Sequence, residues 1–333
     1  MRRRAAIWAT MTTAIATAAL LTPPLHAQLV SGLPTGGALD PGTALGQVRD
    51  GVKGALDDIA SPLTDPLAHT LRDATSLARE RLQRLARFVS RHKDSVEWDE
   101  DHQPAVRGEV LLLDPDPTAL ATAKGAGYTV IENGTLDGLG IAYARLRTPD
   151  GQSLARAVDG LRKALPGREI SADQLHFPAG ASTSSSRETS RPSPSDLPRG
   201  GTVGVIDGGF GTGSPQSAAR IVAQRGFAQG APRVSDHAAA IASLLAGAGT
   251  ARLYDADVYG SDPAGGNALA IARALGWMQQ EAVPVVSISL VGPANPLLAR
   301  AVAAAQQRGM TIVAAVGNDG AAAPPPTPPP TPA

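Results

Sequence analysis

The sequence predicts two successive α/β units, a small α+β unit over residues 107–178 and a larger one with a parallel sheet from residue 201 onward. Three observations carry this prediction. Across 107–178, apolar runs and helical periodicity alternate in the order β-α-β-β-α-β. From residue 201, short apolar strands alternate regularly with helical segments, as in a parallel sheet covered by helices on both faces. Between the two, residues 179–200 are Ser, Thr, Pro and Arg with almost no apolar side chain, which marks a solvated linker open to proteolytic nicking.

The N-terminus has the anatomy of a signal peptide over residues 1–27. Arg2, Arg3 and Arg4 form a basic start, Ala5 to Leu21 is uncharged, Pro23 and Pro24 break the run, and Ala27 supplies a small residue for cleavage. Export to the periplasm or the extracellular space follows as the expectation. Residues 28–106 hold a Gly/Pro-rich stretch and then one basic amphipathic helix over 66–92. On that helix Leu71, Ala74, Ala78, Leu82, Leu85 and Val89 recur at helical spacing. Its arginines read as a solvated face in preference to a membrane-binding one, because Glu80 and the run Glu97–Asp101 offset them. That acidic run with His102 reads as a solvated loop, ahead of a metal site.

In the small unit, Glu109–Leu113 is a strand. Asp116 caps a helix whose first residue is Pro117. Tyr128–Ile131 and Ile141–Leu146 are strands joined around Gly134–Gly140. Leu154, Val158, Leu161 and Leu165 stripe a second helix that Pro166-Gly167 ends, and Glu169–Phe177 returns as a strand. The order is the ferredoxin-like one, which says nothing about activity by itself. In the larger unit the strands are Val203–Ile206, Leu253–Tyr259, Val285–Leu290 and Thr311–Val316, with helices at 236–247, 266–280 and 296–308. Residues 324–333 form a Pro-rich tail with the composition of a polyproline II segment.

Composition narrows the chemistry. The 333 residues hold 30 Lys+Arg against 30 Asp+Glu, a balance that argues against bulk electrostatic binding to nucleic acid. There is no cysteine, which removes disulfides, thiolate metal sites and cysteine nucleophiles. In a parallel sheet the functional edge is at the carboxyl ends of the strands. Asp207 stands there, after Val203–Ile206 and before Gly208-Gly209. His237 opens a buried helix, after Ser235-Asp236. An aspartate accepting from one ring nitrogen of a histidine fixes the tautomer and leaves the other nitrogen as a base. Asn318 follows the last strand, where an amide can donate to a developing oxyanion. A dinucleotide loop is disfavoured, because a G-x-G-x-x-G starting at Gly209 meets Ser214 at its last position.

The order of four segments goes further: V-G-V-I-D-G-G, D-H-A-A-A-I-A-S-L-L-A-G, V-V-S-I-S-L and I-V-A-A-V-G-N-D-G. Together they resemble the subtilisin-like serine peptidases, the subtilases, over residues 201–320. The resemblance implies a subtilisin-like but incomplete catalytic domain over 201–323, with Asp207 as orienting acid, His237 as general base and Asn318 as oxyanion donor. It implies that Ser289 and Leu290 belong to the cleft strand that pairs with substrate backbone. It also implies a propeptide-like role for the ferredoxin-like unit, in intramolecular contact with the catalytic unit and with the segment His176–Pro178 toward the cleft. Peptides or proteins are the implied substrates. No cofactor is expected; calcium is common in the family, but no complete ligand loop is visible here.

Two departures matter. Ala238 and Ala239 replace the Gly and Thr usual after the histidine, and Val291 stands where glycine is common. No serine follows Asn318, so the nucleophile is missing and this chain is expected to be inactive as written. A lost C-terminus is the favoured explanation: with suitable codons, P-T-P-P-P-T-P-A read in another frame gives the subtilase-like Y-P-A-A-Y-P-G. The alternative is a non-catalytic relic that acts as an inhibitor or a binding module.

Overall fold

Two sheets stand at the centre of the architecture, and they meet across a pair of helices. The computed structural model describes residues 79–179, 200–211 and 220–315. The signal peptide, the segment 28–65, the first part of the helix expected over 66–92, nearly all of the linker, Asn318 and the Pro-rich tail lie outside these residues. The described residues all fall within one compact unit of the chain.

Helix α1, residues 79–91, leads into β1 (Val96–Trp98). The small sheet follows: β2 (Pro104–Leu113), α2 (Pro117–Gly125), β3 (Thr129–Leu136), β4 (Ile141–Arg147), α3 (Leu154–Ala164) and β5 (Ile170–Gln174). Its strands pair antiparallel in the order β5-β2-β4-β3, the split βαβ arrangement, with β1 added beside the start of β2. Asp116 caps α2 as the sequence suggests, accepting the Ala119 N–H at 2.7 Å, and Pro117 opens the helix.

Strands β1 and the early part of β2 correct the sequence reading of residues 97–106. The acidic run is no solvated loop. Asp99 is buried; its Oδ1 accepts the N–H groups of Asp101 and Gln103, and its Oδ2 accepts from Gln174 Nε2 at 2.9 Å. The strand expected over Glu169–Phe177 is also interrupted. The backbone leaves the sheet after Gln174, and β6 (Phe177–Pro178) pairs elsewhere.

The second sheet contains β7 (Thr202–Asp207), β8 (Ile221–Gly226), β9 (Arg252–Asp257), β10 (Val285–Ile288) and β12 (Thr311–Ala314). All its pairings are parallel, in the order β12-β10-β7-β9-β8, so β7 lies in the middle. Three helices follow in sequence: α4 (Asp236–Gly247), α5 (Ala268–Gln280) and α6 (Pro296–Gln307). Each has its cap residue accepting backbone N–H groups: Ser235, Asn267 and Asn295. Strand β8 was not read from sequence. The expected strand Val285–Leu290 divides at Ser289, where β11 (Leu290–Val291) leaves the parallel sheet to pair with β6.

The packing explains the run Val110-Leu111-Leu112-Leu113. Val110 and Leu112 face α2 and α3, with Leu146, Leu154 and Leu161. Leu111 and Leu113 face the other way, in one core with α5, α6 and the far side of the second sheet. A strand buried on both faces needs apolar residues at every position. Polar contacts frame this seam. Leu269 N–H donates to Asp173 at 3.0 Å, Arg308 reaches the Leu139 carbonyl at 2.8 Å, and Arg273 pairs with Glu132. Asn295 Nδ2 donates to Gln174 Oε1 at 2.5 Å, tying the α6 cap to β5.

Candidate active site

Asp207 is the last residue of β7 and is wholly buried. Its Oδ1 accepts the Gly208 N–H at 2.7 Å, and its Oδ2 accepts Nδ1–H of His237 at 2.9 Å. Burial pushes the Asp207 carboxyl above its ordinary range. The Gly208 N–H and His237 oppose that shift, and the charge of Asp257 adds to it. His237 is the second residue of α4, and its side chain is about one third exposed.

Two glycines let the Asp and His segments approach. Gly209 N–H donates to the Arg233 carbonyl at 2.9 Å, and Ser235 N–H donates back to Gly209 at 2.8 Å, forming a parallel bridge between Gly209 and Val234. A Cβ on Gly208 would lie 2.6 Å from Ser235 Cβ, and one on Gly209 would lie 2.6 Å from the Arg233 carbonyl oxygen. Ala238, next to His237, is buried with Val205, Phe210, Ala242 and Leu253.

The second ring nitrogen of His237 faces a chain segment that belongs to the small unit. Nε2 is 2.5 Å from the Ala179 carbonyl oxygen. A carbonyl only accepts, so this contact and the Asp207 bond are hydrogen bonds together only when both ring nitrogens carry a proton. Ala179 follows β6, and β6 lies antiparallel on β11, with Pro178 opposite Leu290 and Phe177 opposite Val291. The Ala179 N–H extends this ladder to the Ser289 carbonyl at 2.8 Å. Ser289 and Leu290 thus present backbone to an extended strand, and Val291 takes part in the pairing.

Upstream, His176 is buried. Its N–H donates to Gly266 at 2.8 Å, and its carbonyl accepts the Tyr259 hydroxyl at 2.9 Å. Burial pulls its imidazole down to about 4, and Nδ1 has no hydrogen-bond partner. A Cβ on Gly292 would lie 2.3 Å from the His176 ring.

Of the residues singled out in the sequence, His237 and Ser289 meet Ala179, Asp207 meets His237, and Leu290 pairs with Pro178. Asn318 lies outside the described residues. Two further aspartates were missed. Asp255 and Asp257 lie on β9, both wholly buried. Their alternation, in Y-D-A-D-V, is the one signal that placed them on a single face of a strand. As calcium ligands they do not fit: three of their four oxygens already accept N–H groups, from Phe210, Arg233, Tyr259 and Gly260. Among the described residues no three acidic or histidine side chains converge as a metal site.

Comparison with known proteins bears on the larger unit. Fervidolysin from Fervidobacterium pennivorans, a keratinolytic enzyme related to subtilisin, is similar with a TM-score of 0.49 and 14% identity. The match covers 64% of this chain and 40% of that one. The epidermin leader peptide processing serine protease EpiP from Staphylococcus aureus gives a TM-score of 0.42 and 13% identity, over 64% of this chain and 61% of that one. The chain therefore spans less than two thirds of the length of either structure. No curated protein matches the sequence. The family model of the Subtilase family matches residues 199–333. That match takes in β7, the Gly209 bridge and the start of α4, so the part of the chain that carries Asp207 and His237 is the part similar to the subtilases.

Proposed function

We propose that residues 201–320 are the acid–base half of a subtilisin-type serine endopeptidase acting on peptides or proteins. One observation carries this reading: Asp207 accepts Nδ1–H of His237 at 2.9 Å, while Nε2 meets the carbonyl of an extended strand held on β11. In this reading Asp207 orients the imidazole and stabilises its charged form. His237 Nε2 takes a proton from a nucleophile and returns it to the leaving amine. The backbone of Ser289 and Leu290 holds substrate by adding it as a strand. Asn318 donates to the oxyanion. The mechanism uses the chain's own side chains and backbone and calls on no cofactor and no nucleic acid. Export is part of the proposal, on the signal-peptide anatomy of residues 1–27.

The nucleophile is not among these residues, since no serine follows Ser289. We therefore expect no peptide turnover by the 333-residue chain. A second reading is supported by the Ala179 contact: the unit ending at Ala179 acts as an intramolecular, propeptide-like inhibitor. The Ala179 carbonyl stands 2.5 Å from Nε2, in the space a nucleophile would need, and β6 fills the place of a substrate strand.

A fluorogenic peptide panel tests the first point. Turnover by this chain that His237→Ala abolishes would overturn its predicted inactivity, and turnover that survives His237→Ala would overturn the site. Sequencing the gene past the Asn318 codon, in all three frames, tests the peptidase reading itself. A serine in a Gly-Thr-Ser setting is expected, and its absence from every frame leaves only the inhibitor or binding role.

A further inference from the structure

We propose that Asp255 and Asp257 are positioning residues that hold the Asp207 and His237 segments in register from the sheet side. The inference rests on the reading of Asp207 and His237 as the acid–base pair. Both aspartates project from the same face of β9, the neighbour of β7, and Asp257 stands directly opposite Asp207 in the parallel register. Asp255 Oδ2 accepts the Phe210 N–H at 2.8 Å, fixing the segment that leaves Asp207. Asp257 Oδ2 accepts the Arg233 N–H at 2.6 Å, fixing the segment that enters α4 and His237. Asp257 Oδ1 accepts Tyr259 and Gly260 N–H groups at 2.8 and 2.9 Å, which anchors the carboxylate itself.

These bonds complete a ring. On the outer side, the Gly209–Val234 bridge ties the two segments to each other. On the inner side, one carboxylate ties each segment to β9. The imidazole and its acceptor are thus held at 2.9 Å by a frame that depends on neither of them. The arrangement has a cost: three carboxyl groups are buried close together, and among the described residues no ion pair gives Asp255 or Asp257 a cation. Asp255 Oδ1 has no hydrogen-bond partner among the described residues, and burial with the nearby Asp257 and Asp207 charges pushes that carboxyl up to about 8. Apolar residues would pack at these positions without that penalty, but they would leave the Phe210 and Arg233 N–H groups unpaired.

The two positions make different demands. At Asp255 one acceptor is used, and an asparagine supplies it. At Asp257 both oxygens accept, and an asparagine would turn an NH2 group toward the Arg233 or the Tyr259 and Gly260 donors. The test is NMR of the full chain labelled with 15N-histidine, following exchange of the His237 Nδ1 proton bound to Asp207. Losing one buried hydrogen bond corresponds to roughly a tenfold change in an opening equilibrium. Asp257→Asn and Asp255→Leu are therefore each expected to speed exchange by about tenfold or more, while Asp255→Asn leaves it near wild type. Circular dichroism establishes that each variant is folded. Unchanged exchange in folded Asp257→Asn, or in folded Asp255→Leu if the first does not fold, overturns the proposal. Asp207→Asn is the control. If the resonance persists there, the Asp207–His237 reading has failed, separately from the positioning role.

Discussion

Asp173 and His176 stand three residues apart and are both buried, yet they respond to pH in opposite senses. Burial raises the Asp173 carboxyl to about 7; the nearby Glu109 adds to the shift, and the Leu269 N–H, Arg145 and Arg273 oppose it. Its folded value lies above its unfolded one, so its contribution to stability is full below about pH 4 and is lost as pH rises through about 7. His176 has a depressed folded value, so its contribution is present above about pH 6.5 and is lost as pH falls through about 4. Asp173→Asn keeps an acceptor for the Leu269 N–H and carries no charge. It is expected to stabilise the chain by about 2–4 kcal/mol at pH 8 and to leave pH 4 almost unaffected. Thermal melts across that range check this, and a melting temperature that falls as steeply as wild type between pH 4 and 8 would refute it. At this scale, legibility depended on where a residue sits. Asp207 and His237 were readable because one ends a strand and the other opens a helix. Asp255 and Asp257 were not, because the N–H groups they accept come from Phe210 and Arg233, distant in sequence and set in loops.

Elements were legible where the pattern matched one environment. Helices α2, α4 and α6 announce themselves by cap residues, and α2 and α6 also by a proline just inside the start. The strands that failed are those that change partners. Residues 169–177 look like one strand, but the backbone turns at Leu175, His176 N–H goes to Gly266, and β6 joins another sheet. Strand β8, I-V-A-Q-R-G, sits at a sheet edge with mixed exposure and has no clear apolar alternation. The seam between α5 and the small sheet depends on close backbone approach, which no periodicity reveals. A Cβ on Gly276 would lie 2.2 Å from the Asp137 carbonyl oxygen, and one on Gly138, at φ 74°, would lie 2.3 Å from the Gly276 carbonyl. Gly276→Ala favours the isolated helix but forces the two backbones apart. A net destabilisation of about 1–3 kcal/mol is expected, read as a lower unfolding midpoint in urea with Arg273 contacts loosened. An unchanged midpoint would show that the seam yields at little cost.

The fold class of the whole molecule was readable because strand and helix patterns switch once, at the linker. The way the two units share a core was not. Leu111, Leu113, Ile141 and Tyr143 look like interior residues of the small sheet, and Leu275 and Met278 look like interior residues of the larger one; all six belong to a single apolar cluster. Nothing in the spacing says that these faces meet. The shared core also changes what a cut in the 180–199 linker can achieve. One polypeptide becomes two, but the apolar cluster, the Asp173–Leu269 bond and the Asn295–Gln174 bond do not pass through the linker. After limited proteolysis both fragments are expected to leave a size-exclusion column together at the position of the intact chain, and later elution of either fragment alone would contradict this. On that expectation a cut there leaves a heterodimer, and parting β6 from β11 becomes a matter of dissociation rate and dilution.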